Sequence, residues 1–193
     1  MEKTTLKTGR PRRYELAPLA GFANRDLALA AAFLQELAER VYDQISDLPL
    51  EALDYVPAAS RISISRLVVH LGWAEANWVQ RLTGSQPPQE LAQKLALGHL
   101  ERFSATPVSA GGAAELIALC RRVQREYSEP ALRGIADIDS ELEREHQLVN
   151  LRGVMSQLAW HWSYHSGQIG LIRLLWGSDY QWTSEKRLIA PRP

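Results

Sequence analysis

Of 193 residues only one is cysteine, two are methionine and three are phenylalanine. The lone Cys120 excludes an internal disulfide framework and any cysteine-rich metal site. Charge of one sign is also missing. Lys and Arg total 22, as do Asp and Glu, so no broad basic surface points to nucleic acid as a partner. No stretch approaches the ~20 apolar residues of a spanning helix, because the greasiest segment is interrupted by His161 and His165. Behind Lys3, Lys7, Arg10, Arg12 and Arg13 there is no apolar run of about 7–15 residues such as a secretory signal needs. The chain therefore reads as cytoplasmic, with no membrane role. The basic N-terminal tail, residues 1–20, is expected to be solvated and frayed, a phosphate-binding arm being the alternative.

What is present is a globular composition, 46% hydrophobic and 23% charged, on a length that suits one domain. Four long amphipathic segments can be traced. Asn24 is a good N-cap for a helix to about Leu48, in which Leu27, Ala31, Leu34, Ala38, Val41 and Ile45 recur at helical steps and Pro49 supplies the stop. A second runs from about Ser63 to Leu82 and ends at Thr83-Gly84. A short helix between Gln89 and Phe103 is interrupted by Gly98. A third long helix covers about Ala113 to Tyr127. Pro130, Gly134 and the acidic run Asp137 to Glu145 read as a linker, and a fourth helix spans about Leu151 to Trp176 with Gly177 just past its end. No hairpin signal stands out. The expected fold is an all-α four-helix bundle over residues 21–177, with longer connections, a short extra helix and a C-terminal tail at 178–193.

Chemistry concentrates in Leu158-Ala159-Trp160-His161-Trp162-Ser163-Tyr164-His165-Ser166-Gly167-Gln168-Ile169. His161 and His165 are four apart and share one helix face, within about 60° of Val154, Leu158, Ile169, Ile172 and Leu175. Two titratable rings in an apolar stripe are costly without partners, and an ion taking one nitrogen of each removes that cost. A third ligand must come from another helix. His70, at the border of the second helix's stripe, is the best candidate, while His99 and His146 read as surface residues. Ordinary hydrogen-bonded packing of these histidines is the competing interpretation. A His-Glu-x-x-His protease is excluded, because Trp162 stands where that chemistry needs its glutamate.

A histidine in the second helix, followed about ninety residues on by His-x-x-x-His-x-Gly-Gln-Ile, resembles the DinB-like (YfiT-like) four-helix-bundle family. The motif residues are His70, His161, His165, Gly167, Gln168 and Ile169, and the likeness extends from about Asn24 to Trp176. It implies one divalent ion, commonly zinc or nickel, on His70, His161 and His165 with water in the open positions, a small-molecule substrate, and frequently a homodimer. Characterised members include thiol S-transferases that use bacillithiol or mycothiol as a low-molecular-weight thiol cosubstrate, and others are described as metal-dependent hydrolases. A non-catalytic binding or stress-response bundle, with a structural ion or none, is the alternative.

No catalytic residue can be named. Gln168 points close to the His161 direction and suits a supporting role. Tyr164, Trp73 and Asn77 are candidate pocket residues, as is Glu75, though each also suits a structural or surface place. The six tryptophans gather around the histidine helices, where helix packing and a dimer seam compete with an apolar pocket. Arg121, Arg122 and Arg125 either hold an anionic cofactor or form a solvated face, and Cys120 reads as a buried inert thiol.

Overall fold

The computed structural model describes residues 5–12, 15–58, 62–99, 111–144 and 147–184. A strand β1 (Thr5–Arg12) leads into α1 (Arg25–Ile45), the short α2 (Leu50–Leu53) and α3 (Ile64–Thr83). Then come α4 (Gln89–Leu95) with a 3-10 turn at Ala96–Gly98, α5 (Gly112–Arg122), a π-helical segment (Val123–Ser128) and α6 (Glu129–Arg133). The strands β2 (Glu141–Arg144) and β3 (Gln147–Asn150) precede α7 (Leu151–Trp176), and β4 (Ser178–Ser184) closes the described chain. The protein is the expected helical bundle.

Helix ends follow their capping chemistry. Asn24, Ser63 and Asn150 accept hydrogen bonds from Leu27, Arg66 and Gly153, each three residues on. Gly84 and Gly177 stop α3 and α7 in the left-handed conformation that glycine adopts without strain. α1 stops at Ile45, short of the expected Leu48, and Pro49 stands at the start of α2.

Contacts along the rods give their directions. Asp26–Arg152, Gln44–Ser166 and Asp47–Arg173 set α1 parallel to α7. Gln35–Glu129 and Glu39–Arg121 run α1 against α5. Val68–Cys120, Glu75–Gln124 and Ser85–Tyr127 make α3 and α5 parallel. Parallel neighbours cannot be joined by a tight turn, so the connection carrying α4 runs back along α3, which brings Leu97 beside Arg66 and Gly98 beside His70. The core between the four rods holds Leu27, Val41, Ile45, Leu67, Leu71, Val123, Leu158 and Ile169.

Three expectations need correction. The basic N-terminal tail is not frayed over Thr5–Arg12: it pairs in parallel with β4, within the residues read as a C-terminal tail. Lys7 bonds the Asp43 carbonyl and lies 3.3–3.4 Å from the Asp43 and Asp47 carboxylates, and Tyr180 donates to Asp43. Buried Arg173 grips Asp47 with both nitrogens, at 2.6 and 2.7 Å, and also reaches Ser178. The acids that hold these cations lie on α1 (Asp43) and just beyond it (Asp47), distant in sequence. Second, part of the presumed linker is an antiparallel hairpin, β2 on β3. Third, Pro130 lies inside the helical rod. It lacks an N–H and its ring crowds the carbonyl four residues back, and the preceding segment is widened, with the Glu129 N–H reaching Gln124 O.

That wider turn turns Gln124 and Ser128 inward, beside Glu75. Gln124 donates to Glu75 at 3.4 Å, while the Ser128 hydroxyl and the Trp162 indole nitrogen lack a hydrogen bond of ordinary geometry. Burial pushes the Glu75 pKa up to about 7, against donors that favour its ionised form. The folded protein thus binds a proton the unfolded chain releases, and this stability is present below about pH 4.5 and lost as pH rises through 7. Glu75→Gln is expected to melt above the wild type at pH 8, by up to about 3 kcal/mol in stability, with the gap closed at pH 4.5. Thermal melts across that range check it, and a gap independent of pH would contradict a buried ionisation.

Candidate metal centre

α3 and α7 meet along a seam where His70, His161 and His165 come together, with one nitrogen of each within 4.8 Å of the others. Helical spacing brings the pair on α7 together: one turn separates His161 from His165, and their ring centres are 4.5 Å apart. His70 faces them from α3, its ring centre 4.9 and 5.1 Å from theirs. Its Nε2 lies 3.0 Å from His161 Nε2. His70 and His165 are buried and His161 is half-buried.

Hydrogen bonds on the far side of two rings set their tautomers. His70 Nδ1 lies 2.8 Å from the Gly98 carbonyl, which only accepts, so Nδ1 carries the proton and Nε2 presents a lone pair. His165 Nδ1 lies 2.6 Å from Gln168 Oε1 with the same result. The Gln168 amide donates in turn to the Tyr164 hydroxyl at 3.2 Å, which fixes its orientation. Imidazoles that hold metals are commonly oriented in this way through their second nitrogen.

Burial disfavours the imidazolium forms. It lowers the His70 pKa to about 4 against the help of the Gly98 carbonyl, and lowers His161 to about 3, with the neighbouring rings adding repulsion. His165 is lowered as well, again chiefly by burial. Three neutral nitrogen donors at neutral pH are a set that zinc or nickel accepts. Tetrahedral zinc with Zn–N of about 2.0–2.1 Å would place its nitrogens about 3.3 Å apart, close to the 3.0 Å between His70 and His161. The residues fit a divalent ion.

A model of the mycothiol S-transferase family matches residues 29–176. The chain belongs to that family. It is accordingly DinB-like, with the bundle fold described above. No curated protein matches.

Within this bundle the other residues singled out in the sequence separate. Trp73 stacks on His70, ring centres 5.7 Å apart, and forms one wall. Tyr164 and Gln168 join the histidine network. Asn77 is half-buried two turns along α3 from His70 and bonds none of the three rings. Glu75 and Trp162 face the core, the latter edge-on to Tyr42 at 6.1 Å. Leu175, expected in the stripe with the histidines, is exposed. Arg121 and Arg122 pair with Glu39, Glu90 and Glu126 on the α5 side of the bundle, as a salt-bridged surface. Cys120 is buried, and burial pushes its thiol up to about 12, as suits an inert residue.

Two residues escaped the sequence reading. Gly98 is more than a helix interruption: a Cβ there would come within 2.6 Å of Val69 O, so only glycine lets its own carbonyl reach His70. His99 is no surface residue. It is half-buried edge-on to Trp73, with ring centres 4.8 Å apart. A glycine-histidine pair just after a short helix was the available signal. His146, also read as surface, lies outside the described residues.

The unfolded chain titrates its histidines near pH 6.5 and the folded one well below, so unfolding takes up protons in between. Metal-free protein is expected to lose stability as pH falls from about 6.5 through 4. His161→Phe should have a flatter dependence of Tm on pH in that window, and identical slopes would show that the ring is not buried neutral.

Proposed function

We propose that this protein is a metal-dependent thiol S-transferase: His70, His161 and His165 hold one divalent ion, zinc or nickel, and a low-molecular-weight thiol, mycothiol foremost, is the cosubstrate. The observation that carries the proposal is the pinning of two Nδ1 atoms, by Gly98 and Gln168, which aims bare Nε2 atoms into one cluster. Family membership supports the thiol. An ion bound there supplies a Lewis acid that lowers the pKa of a thiol, so that its sulfur is nucleophilic at neutral pH. In the transfer an S–C bond forms on the electrophile while its leaving group departs with the electron pair. Around that step Trp73 walls the site, Gln168 and Tyr164 hold His165 in orientation, and Asn77 offers a polar group along the α3–α7 seam. A thiolate needs no further base for its attack, which matches the absence of any carboxylate in the cluster among the described residues.

A second reading, a non-catalytic bundle, draws on the same 3.0 Å contact: His161 Nε2–H can donate to His70 Nε2 and satisfy both rings without an ion. The proposed compartment is the cytoplasm, where small thiols and Cys120 are kept reduced. No helix among the described residues is long and apolar enough to cross a membrane, and zero net charge argues against nucleic acid. The proposed protein partner is a second copy of the chain.

Elemental analysis of untagged protein purified without chelator is expected to find about one zinc or nickel per chain, and His161→Ala to lose it while keeping its helical circular dichroism. Gly98→Ala, which displaces the carbonyl behind His70, should weaken metal affinity about 10–100-fold. Metal retained by His161→Ala would overturn the ligand assignment. Metal-loaded protein should then accelerate conjugation of mycothiol to a haloalkyl bimane. No acceleration with mycothiol, bacillithiol or glutathione would leave the ion structural and remove the transferase.

A further inference from the structure

Between the β2–β3 hairpin and the first turns of α7 lies a groove of about 300 Å³. Its walls include Trp78 of α3, Val154 and Gln157 of α7, and Glu141, Leu148 and Val149 of the hairpin. Its size is that of a small-molecule site. Two helical ridges lead from it to the metal centre. On α3, His70, Ala74 and Trp78 follow at steps of four, and on α7 His161, Gln157 and Gly153 do the same in the opposite sense. Residues four apart form a continuous ridge on a helix. The two helices are antiparallel with His70 opposite His161, so both ridges descend the same seam and end together, with Trp78 and Gly153 in the groove. At 1.5 Å per residue its far wall is about 12 Å from the histidines, and Gln157 is about 6 Å from His161. A molecule whose reacting atom stands at the histidine cluster can therefore lay its body in this groove.

The thiol and the electrophile that receives its sulfur both have such a body, and the lining separates them. Leu148 is 71% exposed, and Trp78 and Val149 are half-buried, so apolar surface is held open to water around the groove. An apolar body gains by covering it. A hydroxyl-rich thiol would give up its water against these walls for too few hydrogen bonds. Charge narrows the class further. Among the described residues that line the groove the single charge is the Glu141 carboxylate, so a carboxylate or phosphate would find no counter-ion there. Arg81 lies over the Trp78 ring, 4.8 Å from its centre, and not in the wall. Trp78 offers a flat ring for stacking.

We propose that this groove seats the electrophilic substrate, and that its class is a flat, apolar molecule without negative charge that carries a leaving group. Trp78 and Leu148 hold its body and are the residues that set its specificity, while its reactive carbon reaches the sulfur at the histidine cluster. For a halide the S–C bond forms as the C–halogen bond breaks, the halide takes the bonding pair, and the thiol proton passes to solvent. The assignment rests on the thiol-transferase reading and adds the second substrate to it.

Tetramethylbimane, flat, uncharged and without a leaving group, is the probe. Equilibrium dialysis against the full chain stripped of metal is expected to show saturable binding, which Trp78→Leu and Leu148→Ser should each weaken at least about fivefold with helical circular dichroism unchanged. In the metal-loaded protein the same variants should raise KM for a haloalkyl bimane by a similar factor and leave KM for mycothiol as it was, a split that a general loss of structure would not produce. No binding by the wild type, binding undiminished in both variants, or a rise in KM for mycothiol instead overturns the groove as the electrophile's seat. Probe binding that both variants weaken, in a protein that transfers no thiol to any electrophile, overturns the transferase reading and with it the occupant's role, while the groove's preference for flat apolar molecules stands.

Discussion

Three imidazoles kept neutral in the seam between two antiparallel helices are the constraint around which this protein is arranged. Burial alone would leave six ring nitrogens in search of partners. The bundle meets that demand from behind, with the Gly98 carbonyl on His70 and the Gln168 amide on His165, so that donor nitrogens face inward together. Each support has its own requirement. The carbonyl reaches His70 only because residue 98 has no Cβ, and the amide is oriented because Tyr164 accepts its other end. A site made this way is preorganised before any ion arrives.

The frame that holds the seam rests on interactions far from it. Arg173, in the last turn of α7, is locked to Asp47 just beyond α1, and the same acidic patch clasps the ribbon formed by β1 and β4. α1 and α7, the helix that carries His161 and His165, are thereby fixed in register. On the other side of α3, the widened turn before Pro130 brings Gln124 to Glu75. One side of the bundle thus stores an ion-paired clasp, which like the neutral histidines loses stability as pH falls, and the other a buried carboxyl, which loses it as pH rises.

Much of this was legible in the chain. The four long helices and their caps follow from local rules, because a helix end is a matter of the nearest few residues. His161, His165 and Gln168 share a helix, so their proximity follows from spacing. His70 could be named because two ligands are too few and it lies at a stripe border. Harder were the features made by groups distant in sequence. Lys7 and Arg10 read as a frayed basic tail since Asp43 and Glu36 lie on another element. His99 read as surface because Trp73 meets it only after the chain turns back over α3.

The sequence by itself determined the helices, their amphipathic faces and the histidine pair, all consequences of the 3.6-residue period and of capping within a turn. That α3 and α5 run parallel, that β1 pairs with β4, and that a backbone carbonyl orients His70 emerged from the packing of the fold. Those outcomes depend on which surfaces meet and on groups that carry no side-chain signature, and a one-dimensional pattern does not encode either.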